Sequence, residues 1–149
     1  MQQAIDKAGA LVEAHQYIRG FANKIIVIKI GGSIMDDPQA LQKLVMDVCF
    51  MDVVGMRPVL VHGGGKSISH AMANAGLEAQ FVQGRRYTDG RTLAIAEHVL
   101  VNEINQSIVD QINGLSHRAM GLHSLGSCVV FAKKLFLENP QEPNRKIDI

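Results

Sequence analysis

The chain has 149 residues, of which 47% are hydrophobic and only 5% aromatic, which suits one ordinary domain with an aliphatic α/β core. A formal net charge of +1 gives no electrostatic attraction to nucleic acid or to a membrane surface. Cys49 and Cys128 are too few for a disulfide framework and lack metal-ligand spacing, so they indicate reduced thiols in a cytosolic protein without a metal site. No apolar run approaches the roughly 20 residues of a membrane helix, and the N-terminus matches no signal or transit peptide.

The first part of the chain alternates between helical and strand-like patterns. Apolar spacing predicts a helix over residues 3–19, and the β-branched run KIIVIKI at 24–30 predicts a buried strand closed by two glycines. Asp36 or Asp37 can cap the next helix, which is expected to stop at Gly55. A helix, a strand and a second helix are therefore expected in that order.

A second strand-like run, RPVLVH at 57–62, leads into a triple glycine and a helix that is expected to end near Gly76. Strands separated by helices in this way predict a parallel sheet with right-handed crossovers. The predicted fold class is therefore α/β, with a mainly parallel open sheet sandwiched by helices.

The second part of the chain is less regular. A polar, arginine-rich stretch, FVQGRRYTDGRT, precedes a long helical pattern whose apolar residues lie mostly four apart and which ends at Gly114. RAMGLHS and CVVFAKKLFL then resemble strands joined around Gly126, and KIDI looks like the start of a further element. A sheet interrupted there would leave an unpaired edge and an uncovered apolar face, so we expect a fragment of a longer chain with poor solubility.

Two glycine turns, at residues 31–32 and 63–65, each follow a predicted strand. VLVHGGGKSIS is not a P-loop, because that motif needs a glycine at the position of Leu60, and GGSIMD lacks the spacing of a dinucleotide-binding turn. At the carboxyl ends of parallel strands, glycines let the backbone approach an anion, and helix N-termini offer unpaired N–H donors. The alternative is that tight strand–helix turns simply need glycine.

Lys29 places a cation within the first apolar strand. An unpaired buried ammonium is costly, so this side chain should face a compensating charge or lie at the wet end of the strand. Two residues before the glycine turn, it can reach an anion beyond the sheet. The alternative is a lysine that extends along the apolar surface to reach water.

These segments together resemble the acetylglutamate kinases of the amino acid kinase superfamily. IVIKIGGS resembles the family's first strand and lysine–glycine turn, VLVHGGGKSIS its second turn, FVQGRRYTD its substrate arginine segment, and HVLVNEINQSIVDQING the long helix that follows. The match covers most of residues 22–137. It implies ATP-dependent phosphorylation of the γ-carboxylate of N-acetyl-L-glutamate, the second step of arginine biosynthesis, with ATP and Mg²⁺ as co-substrate.

The resemblance assigns a role to each candidate site residue. Lys29 would stabilise the phosphoryl group in transit, because fixed cations and N–H groups offset the charge that spreads over its oxygens. The planar guanidinium of Arg86 suits bidentate recognition of a carboxylate, whereas Arg85 is implied to be a surface residue. The full set of implied roles is catalysis by Lys29, phosphate-side backbone donors from Gly31 and Gly32, contacts to the substrate's carboxyl end from Gly64 and Gly65, and a clamp on its α-carboxylate from Arg86.

The N-terminal segment EAHQYIRGFANK resembles the extra helix of acetylglutamate kinases that are inhibited by arginine, where it links dimers into a hexamer. The resemblance implies a homo-oligomer, with Tyr17 as the important aromatic and L-arginine as an effector. The implied organisation is an amphipathic oligomerisation helix over 1–21 and an acceptor-binding lobe over 22–149.

The chain departs from the family in several places. The family holds its nucleotide mainly through a C-terminal half that also supplies an aspartate, a second lysine and an asparagine, and none of these has a counterpart in the 149 residues; Lys146 and Asp148 match no motif. Lys66 stands where the family usually has proline, and MGLHSLGSCVV, with His123 and Ser124, replaces a serine-, glycine- and aspartate-rich stretch.

Three interpretations remain open on the sequence alone. The chain is the amino half of an acetylglutamate kinase and is inactive by itself, which we favour. It is instead a kinase of another small acylated amino acid, such as an acylated aminoadipate. The third alternative is a non-catalytic module that binds an acylated amino acid or oligomerises through its first helix.

Overall fold

The computed structural model describes residues 1–123, 126–127, 131, 133, 136–138 and 146–148. Their regular elements are α1 (Gln2–Phe21), β1 (Ile25–Ile30), α2 (Gly32–Met35), α3 (Pro38–Val53), β2 (Arg57–His62), α4 (Gly65–Asn74), β3 (Phe81–Val82), β4 (Arg85–Arg86), α5 (Gly90–His98), a π-helical segment (Val99–Asn105), α6 (Gln106–Gly114), β5 (Phe136–Glu138) and β6 (Lys146–Asp148). The chain divides into two compact units, residues 1–62 with 111–117 and residues 63–110 with 118–149.

The first unit contains the predicted parallel strand pair. β1 pairs with β2 in parallel, with Ile25 opposite Arg57 at one end and Ile30 opposite His62 at the other. The connection between them runs through α2 and α3, so the predicted strand–helix–strand order and the α/β class, a parallel sheet with flanking helices, are confirmed. The short helix α2 is an addition that the sequence pattern did not predict.

Helix α3 begins and ends where local chemistry predicts. Asp37 caps it, because its Oδ1 accepts hydrogen bonds from the backbone N–H groups of Gln39 (2.9 Å) and Ala40 (3.1 Å), and Pro38 is its first residue. The helix stops two residues before Gly55, whose φ of +86° suits only glycine without strain. It buries one stripe against β2, made up of Val45, Val48 and Cys49.

The prediction that both strands are fully buried is wrong. Exposure alternates along β1, with Ile25 63% and Val27 65% exposed while Ile30 is fully buried. On β2 the side chains of Val59 and Val61 are likewise exposed. Within the part of the chain that is described, the strand pair is therefore covered on one face only, and Lys29 lies on the uncovered face.

The second unit is organised around α4. Ile68 and Met72 of α4 and Val99 of the π segment form its buried core, and α4 contacts both α5 and the π segment. The predicted long helix to Gly114 is present, but its middle third is π-helical instead of α-helical. Asp89 caps its start by accepting a hydrogen bond from the backbone N–H of Thr92 at 2.8 Å.

The arginine-rich stretch forms a small antiparallel ribbon that the sequence pattern did not predict. β3 pairs with β4 through a two-residue turn at Gln83 and Gly84, whose φ angles of +50° and +76° match a tight hairpin turn. The pairing sets Phe81 directly opposite Arg86. Cross-strand neighbours of this kind contact each other on one face of the ribbon.

The first helix and the C-terminal strands complete the described elements. α1 confirms the predicted N-terminal helix, and none of its residues is buried. β5 and β6 pair antiparallel, so the KIDI stretch does form an element. No helix in the described part of the chain is long and apolar enough to cross a membrane.

The strand predicted for RAMGLHS is absent over residues 118–123. Side chains there satisfy the backbone locally, since the N–H of His123 donates to Ser127 Oγ at 2.7 Å and the N–H of Gly126 donates to His123 Nδ1 at 3.0 Å. Ser124, Cys128 and most of CVVFAKKLFL lie outside the described residues.

Candidate functional site

Arg86 is the most extensively contacted of the candidate site residues. Its Nη2 donates hydrogen bonds to the carbonyl oxygen of Gly65 at 3.0 Å and to Ser69 Oγ at 2.8 Å. Its Nη1 lies 3.2 Å from the sulfur of Met72, and its guanidinium carbon lies 4.9 Å from the centre of the Phe81 ring. The guanidinium therefore has a defined place at the start of α4.

Three local features produce this arrangement. The β3–β4 pairing places the ring of Phe81 opposite Arg86, so the guanidinium and the ring lie on one face. The first turn of α4 presents Gly65 and Ser69 one above the other, and Ser69 Oγ donates to the Gly65 carbonyl at 3.0 Å. A hydroxyl that donates there is left with lone pairs to accept from Arg86, so the three groups form one consistent network.

The network still leaves Arg86 able to bind an anion. A guanidinium has five N–H donors, and the described residues engage three of them, two on Nη2 and one on Nη1. Among the described residues nothing engages the Nε donor or the second Nη1 donor. These two donors lie on different edges of the guanidinium, so each can reach an anion through a single hydrogen bond. No side chain caps α4, which begins at the same place, so its first N–H groups add positive potential there.

The two glycines at the start of α4 have different surroundings. A Cβ atom on Gly64 would lie 2.5 Å from Leu100 Cδ2 and 3.0 Å from Ile104 Cδ1, so a side chain there would have to displace the side chain of Leu100. A Cβ atom on Gly65 would meet nothing within 4 Å. Packing thus explains Gly64, whereas the space beside Gly65 is open to a ligand.

The glycine turn after β1 is more open. The side chain of Lys29 is exposed and makes no hydrogen bond or ion pair with any described residue. Gly31 is the N-cap of α2, and a Cβ atom on either Gly31 or Gly32 would meet nothing within 4 Å. Lys29 and this turn belong to the first compact unit, whereas Gly64, Gly65 and Arg86 belong to the second.

Three further residues take no part in the hydrogen bonds of the Arg86 side chain. Tyr17 is 65% exposed on α1, and Arg85 is exposed on β4. Asp89 follows the arginine segment, and its pKa is lowered chiefly because the carboxylate accepts the backbone hydrogen bond from Thr92. Sequence reasoning did not identify Ser69, although its position four residues after Gly65 in a predicted helix was a usable signal.

The described residues do not offer a ligand set for a metal ion. They contain no group of three or more histidine, cysteine, aspartate or glutamate side chains that could hold one. Mg²⁺ prefers carboxylate and phosphate oxygens in an octahedral arrangement. A resident Mg²⁺ therefore does not fit the described residues.

Comparison with known proteins gives one family. The model of the amino acid kinase family matches residues 24–148. The acetylglutamate kinase of Halothermothrix orenii is 43% identical over 139 residues, which cover 93% of this chain and 48% of the relative. That of Methylobacillus flagellatus is 41% identical over 146 residues, covering 98% of this chain and 50% of the relative. The chain thus spans about half the length of the curated relatives it matches.

Two solved structures resemble the fold of this chain. An N-acetylglutamate synthase from Neisseria gonorrhoeae, in complex with coenzyme A and N-acetyl-glutamate, matches with a TM-score of 0.61 and 25% identity, over 73% of this chain and 25% of that one. The protein smu.665 from Streptococcus mutans matches with a TM-score of 0.59 and 24% identity, over 67% of this chain and 40% of that one. The second likeness bears on the fold alone.

Proposed function

Because the chain belongs to the amino acid kinase family, we propose that it is the acceptor-binding part of an acetylglutamate kinase. Such an enzyme transfers the γ-phosphoryl group of ATP to the γ-carboxylate of N-acetyl-L-glutamate. The relatives from two organisms that are more than 40% identical over nearly the whole chain support the choice of this activity within the family.

The observation that carries the proposal is the anchored guanidinium of Arg86. It lies at the uncapped start of α4 with two donors left over, next to the open side of Gly65. A carboxylate is the ligand best matched to such a group, because charge-assisted hydrogen bonds to a fixed guanidinium are both strong and directional. We assign this place to the α-carboxylate of the acceptor, with Gly64 and Gly65 bordering its carboxyl end.

The turn after β1 is assigned to the phosphate side of the reaction. Phosphoryl transfer from ATP to a carboxylate oxygen forms an acyl phosphate and releases ADP, and its transition state carries charge on the phosphoryl oxygens. Lys29 would offset that charge, and the backbone N–H groups of Gly31 and Gly32 would donate to the same oxygens. Both glycines have the open space that a close backbone approach requires.

The remaining assignments follow the family resemblance. ATP enters with Mg²⁺ and is held mostly by the part of the relatives' length that this chain does not span, so we expect the 149-residue chain alone to be inactive. Residues 1–21 are assigned to homo-oligomerisation, as a dimer or hexamer, because α1 buries none of its residues within the chain. Tyr17 would contact a neighbouring subunit, L-arginine would act as an effector, and the enzyme would be cytoplasmic.

The proposal is tested by calorimetric titration of the purified 149-residue chain with N-acetyl-L-glutamate and, separately, with Mg-ATP. We expect binding of the acid without binding of the nucleotide. Arg86→Ala should abolish acid binding, whereas Arg85→Ala, the matched control one residue away on the same strand, should leave it unchanged.

Two results would count against the proposal. A folded sample that binds neither ligand would remove the acceptor role from this chain. Tighter binding of another acylated amino acid, measured in the same titration, would keep the site but replace the substrate. Acid binding with full ATP turnover would instead show that the chain alone is sufficient for catalysis.

A further inference from the structure

We infer that Ser69 is a positioning residue for Arg86, and that it fixes the orientation in which the guanidinium meets the acceptor's carboxylate. The inference rests on the proposed role of Arg86 in binding the acid. Ser69 itself is not assigned a contact with the substrate. Nothing in the resemblance to known kinases gives Ser69 a role.

The geometry shows how a single hydroxyl controls the guanidinium. Nη2 has two hydrogens, and both are used, one towards Ser69 Oγ at 2.8 Å and one towards the Gly65 carbonyl at 3.0 Å. Ser69 Oγ also donates to that same carbonyl at 3.0 Å, so the hydroxyl joins both acceptors of Nη2 into one group. Removal of the hydroxyl takes away the shorter of the two hydrogen bonds that Nη2 donates. It also removes the hydrogen bond from Ser69 Oγ to the Gly65 carbonyl.

The other contacts of Arg86 do not replace this control. The sulfur of Met72 is a weak acceptor, and the Phe81 ring attracts the cation without fixing its rotation about the ring normal. Arginine side chains have high conformational freedom, which a ligand must otherwise remove when it binds. Ser69 removes part of that freedom in advance, so its loss should weaken recognition of the carboxylate specifically.

The first test needs no ligand. In proton–nitrogen-15 NMR of the 149-residue chain, slow rotation about the Cζ–Nη2 bond should give Arg86 two separate Nη2 proton signals, which the Arg86→Lys variant would identify by their loss. Ser69→Ala should merge or broaden these signals, and Ser69→Thr, which keeps a hydroxyl, should retain them. Ser67→Ala is the matched control, because Ser67 lies on the same helix and makes no side-chain hydrogen bond to a described residue. Unchanged signals in Ser69→Ala would overturn the inference.

The second test measures selectivity for the carboxylate. N-acetyl-L-glutamate and its α-carboxamide are titrated into wild type and each variant, with the thermal midpoint as a check on folding. Ser69→Ala should weaken binding of the acid by about 3- to 10-fold, as expected for one lost hydrogen bond, with little change for the amide. Ser69→Thr should keep the wild-type ratio of the affinity for the acid to the affinity for the amide. Phe81→Leu, which removes the aromatic ring but keeps an apolar side chain, should lower the affinity for the acid by about 2-fold.

The outcomes separate the inference from the proposed function. Equal weakening of acid and amide by Ser69→Ala would mean a merely structural role and would overturn the inference. If the folded wild-type chain binds neither compound but the NMR signals respond to Ser69→Ala, the positioning of Arg86 stands and the acceptor assignment fails. If the wild-type chain binds the acid, and Ser69→Ala has the same Arg86 signals and the same affinities as wild type, the acceptor assignment stands and the inference fails.

Discussion

The glycine turns after β1 and β2 look alike in sequence but differ in how much of each site is already assembled. After β2, Arg86 is held by Ser69 and the Gly65 carbonyl at hydrogen-bond distance. Before the turn that follows β1, the side chain of Lys29 is exposed and has no polar partner among the described residues. One turn thus belongs to a prearranged network, and the other presents open backbone and an unanchored cation.

The comparison shows that glycines in similar turns can have different surroundings. Gly64 is required because Leu100 occupies the space of its missing side chain, which is a packing reason. Gly31, Gly32 and Gly65 have no such neighbour within 4 Å. Three of the four glycines thus leave room for a ligand where a side chain would stand, whereas at Gly64 the side chains of Leu100 and Ile104 take up that room.

The largest expected effect is the loss of acid binding when Arg86, but not Lys29, is replaced. Arg86→Ala should lower the affinity for N-acetyl-L-glutamate by about 100-fold or more, because charge-assisted hydrogen bonds to the carboxylate are lost. Lys29→Ala should change this affinity by less than about 2-fold. The measurement is calorimetric titration of the 149-residue chain, with Lys24→Ala as the control at the other end of the strand. A loss in Lys29→Ala as large as that in Arg86→Ala would mean that both turns contact the acid.

The next effect sharpens the difference between the glycines. Gly64→Ala should lower the free energy of unfolding by about 1–3 kcal/mol, because the added methyl group meets Leu100 and Ile104. Gly31→Ala should be nearly neutral, since Gly31 has φ −85° and ψ 167°, which alanine adopts freely, and open space for a side chain. Urea denaturation of the two variants measures both. Equal destabilisation would show that the two turns are packed alike.

A smaller effect compares the helix caps of the two units, beginning with α3. Asp37→Ala should lower the free energy of unfolding by about 1 kcal/mol, because two backbone N–H groups lose their acceptor. Asp37→Asn keeps an acceptor and should retain most of the stability. Denaturation curves at neutral pH give the values, and a loss in Asp37→Asn as large as that in Asp37→Ala would contradict capping as the cause.

The smallest effect is the pH dependence of the other cap, Asp89. Its pKa in the folded state is lowered by the hydrogen bond from Thr92, so the folded state favours the ionised carboxylate. The resulting stabilisation is present above the ordinary aspartate pKa of about 4 and is lost as the pH falls through the lower folded-state value. The stability advantage of wild type over Asp89→Asn should therefore shrink between pH 5 and pH 3. Parallel thermal melting curves for the two proteins across that range would contradict this cause.

Much of the fold was predictable because its signals are local. The start of α3 follows from Asp37 and Pro38, and its end from Gly55, each through backbone chemistry that involves only neighbouring residues. The sequence predicted Arg86, Gly64 and Gly65 as site residues, and in the second unit Arg86 does contact Gly65. Their partner Ser69 was missed: its spacing of four from Gly65 placed it on the same helix face, but its contact with Arg86 depends on a residue 17 positions away.

Other features depended on contacts or geometry that the pattern does not encode. IIVIKI and RPVLVH are apolar on both faces, so their sequence cannot tell whether one face or two are covered. The Gln83–Gly84 turn lacks the usual asparagine or aspartate before glycine, and the ribbon was missed. The π segment was not predicted either, because apolar residues spaced four apart, as from Leu100 to Ile104 to Ile108, are also the ordinary pattern of an α-helix.

A π turn holds one residue more than an α turn, so residues 99–105 have the form of an α-helix that accepted a single inserted residue. In a uniform α-helix such an insertion would rotate everything beyond it by about 100°. The wide turn absorbs that rotation, which leaves Leu100 and Ile104 facing Gly64 and Ile108 buried. Relatives whose helix is α-helical throughout should therefore show a one-residue gap in this stretch when aligned with this chain.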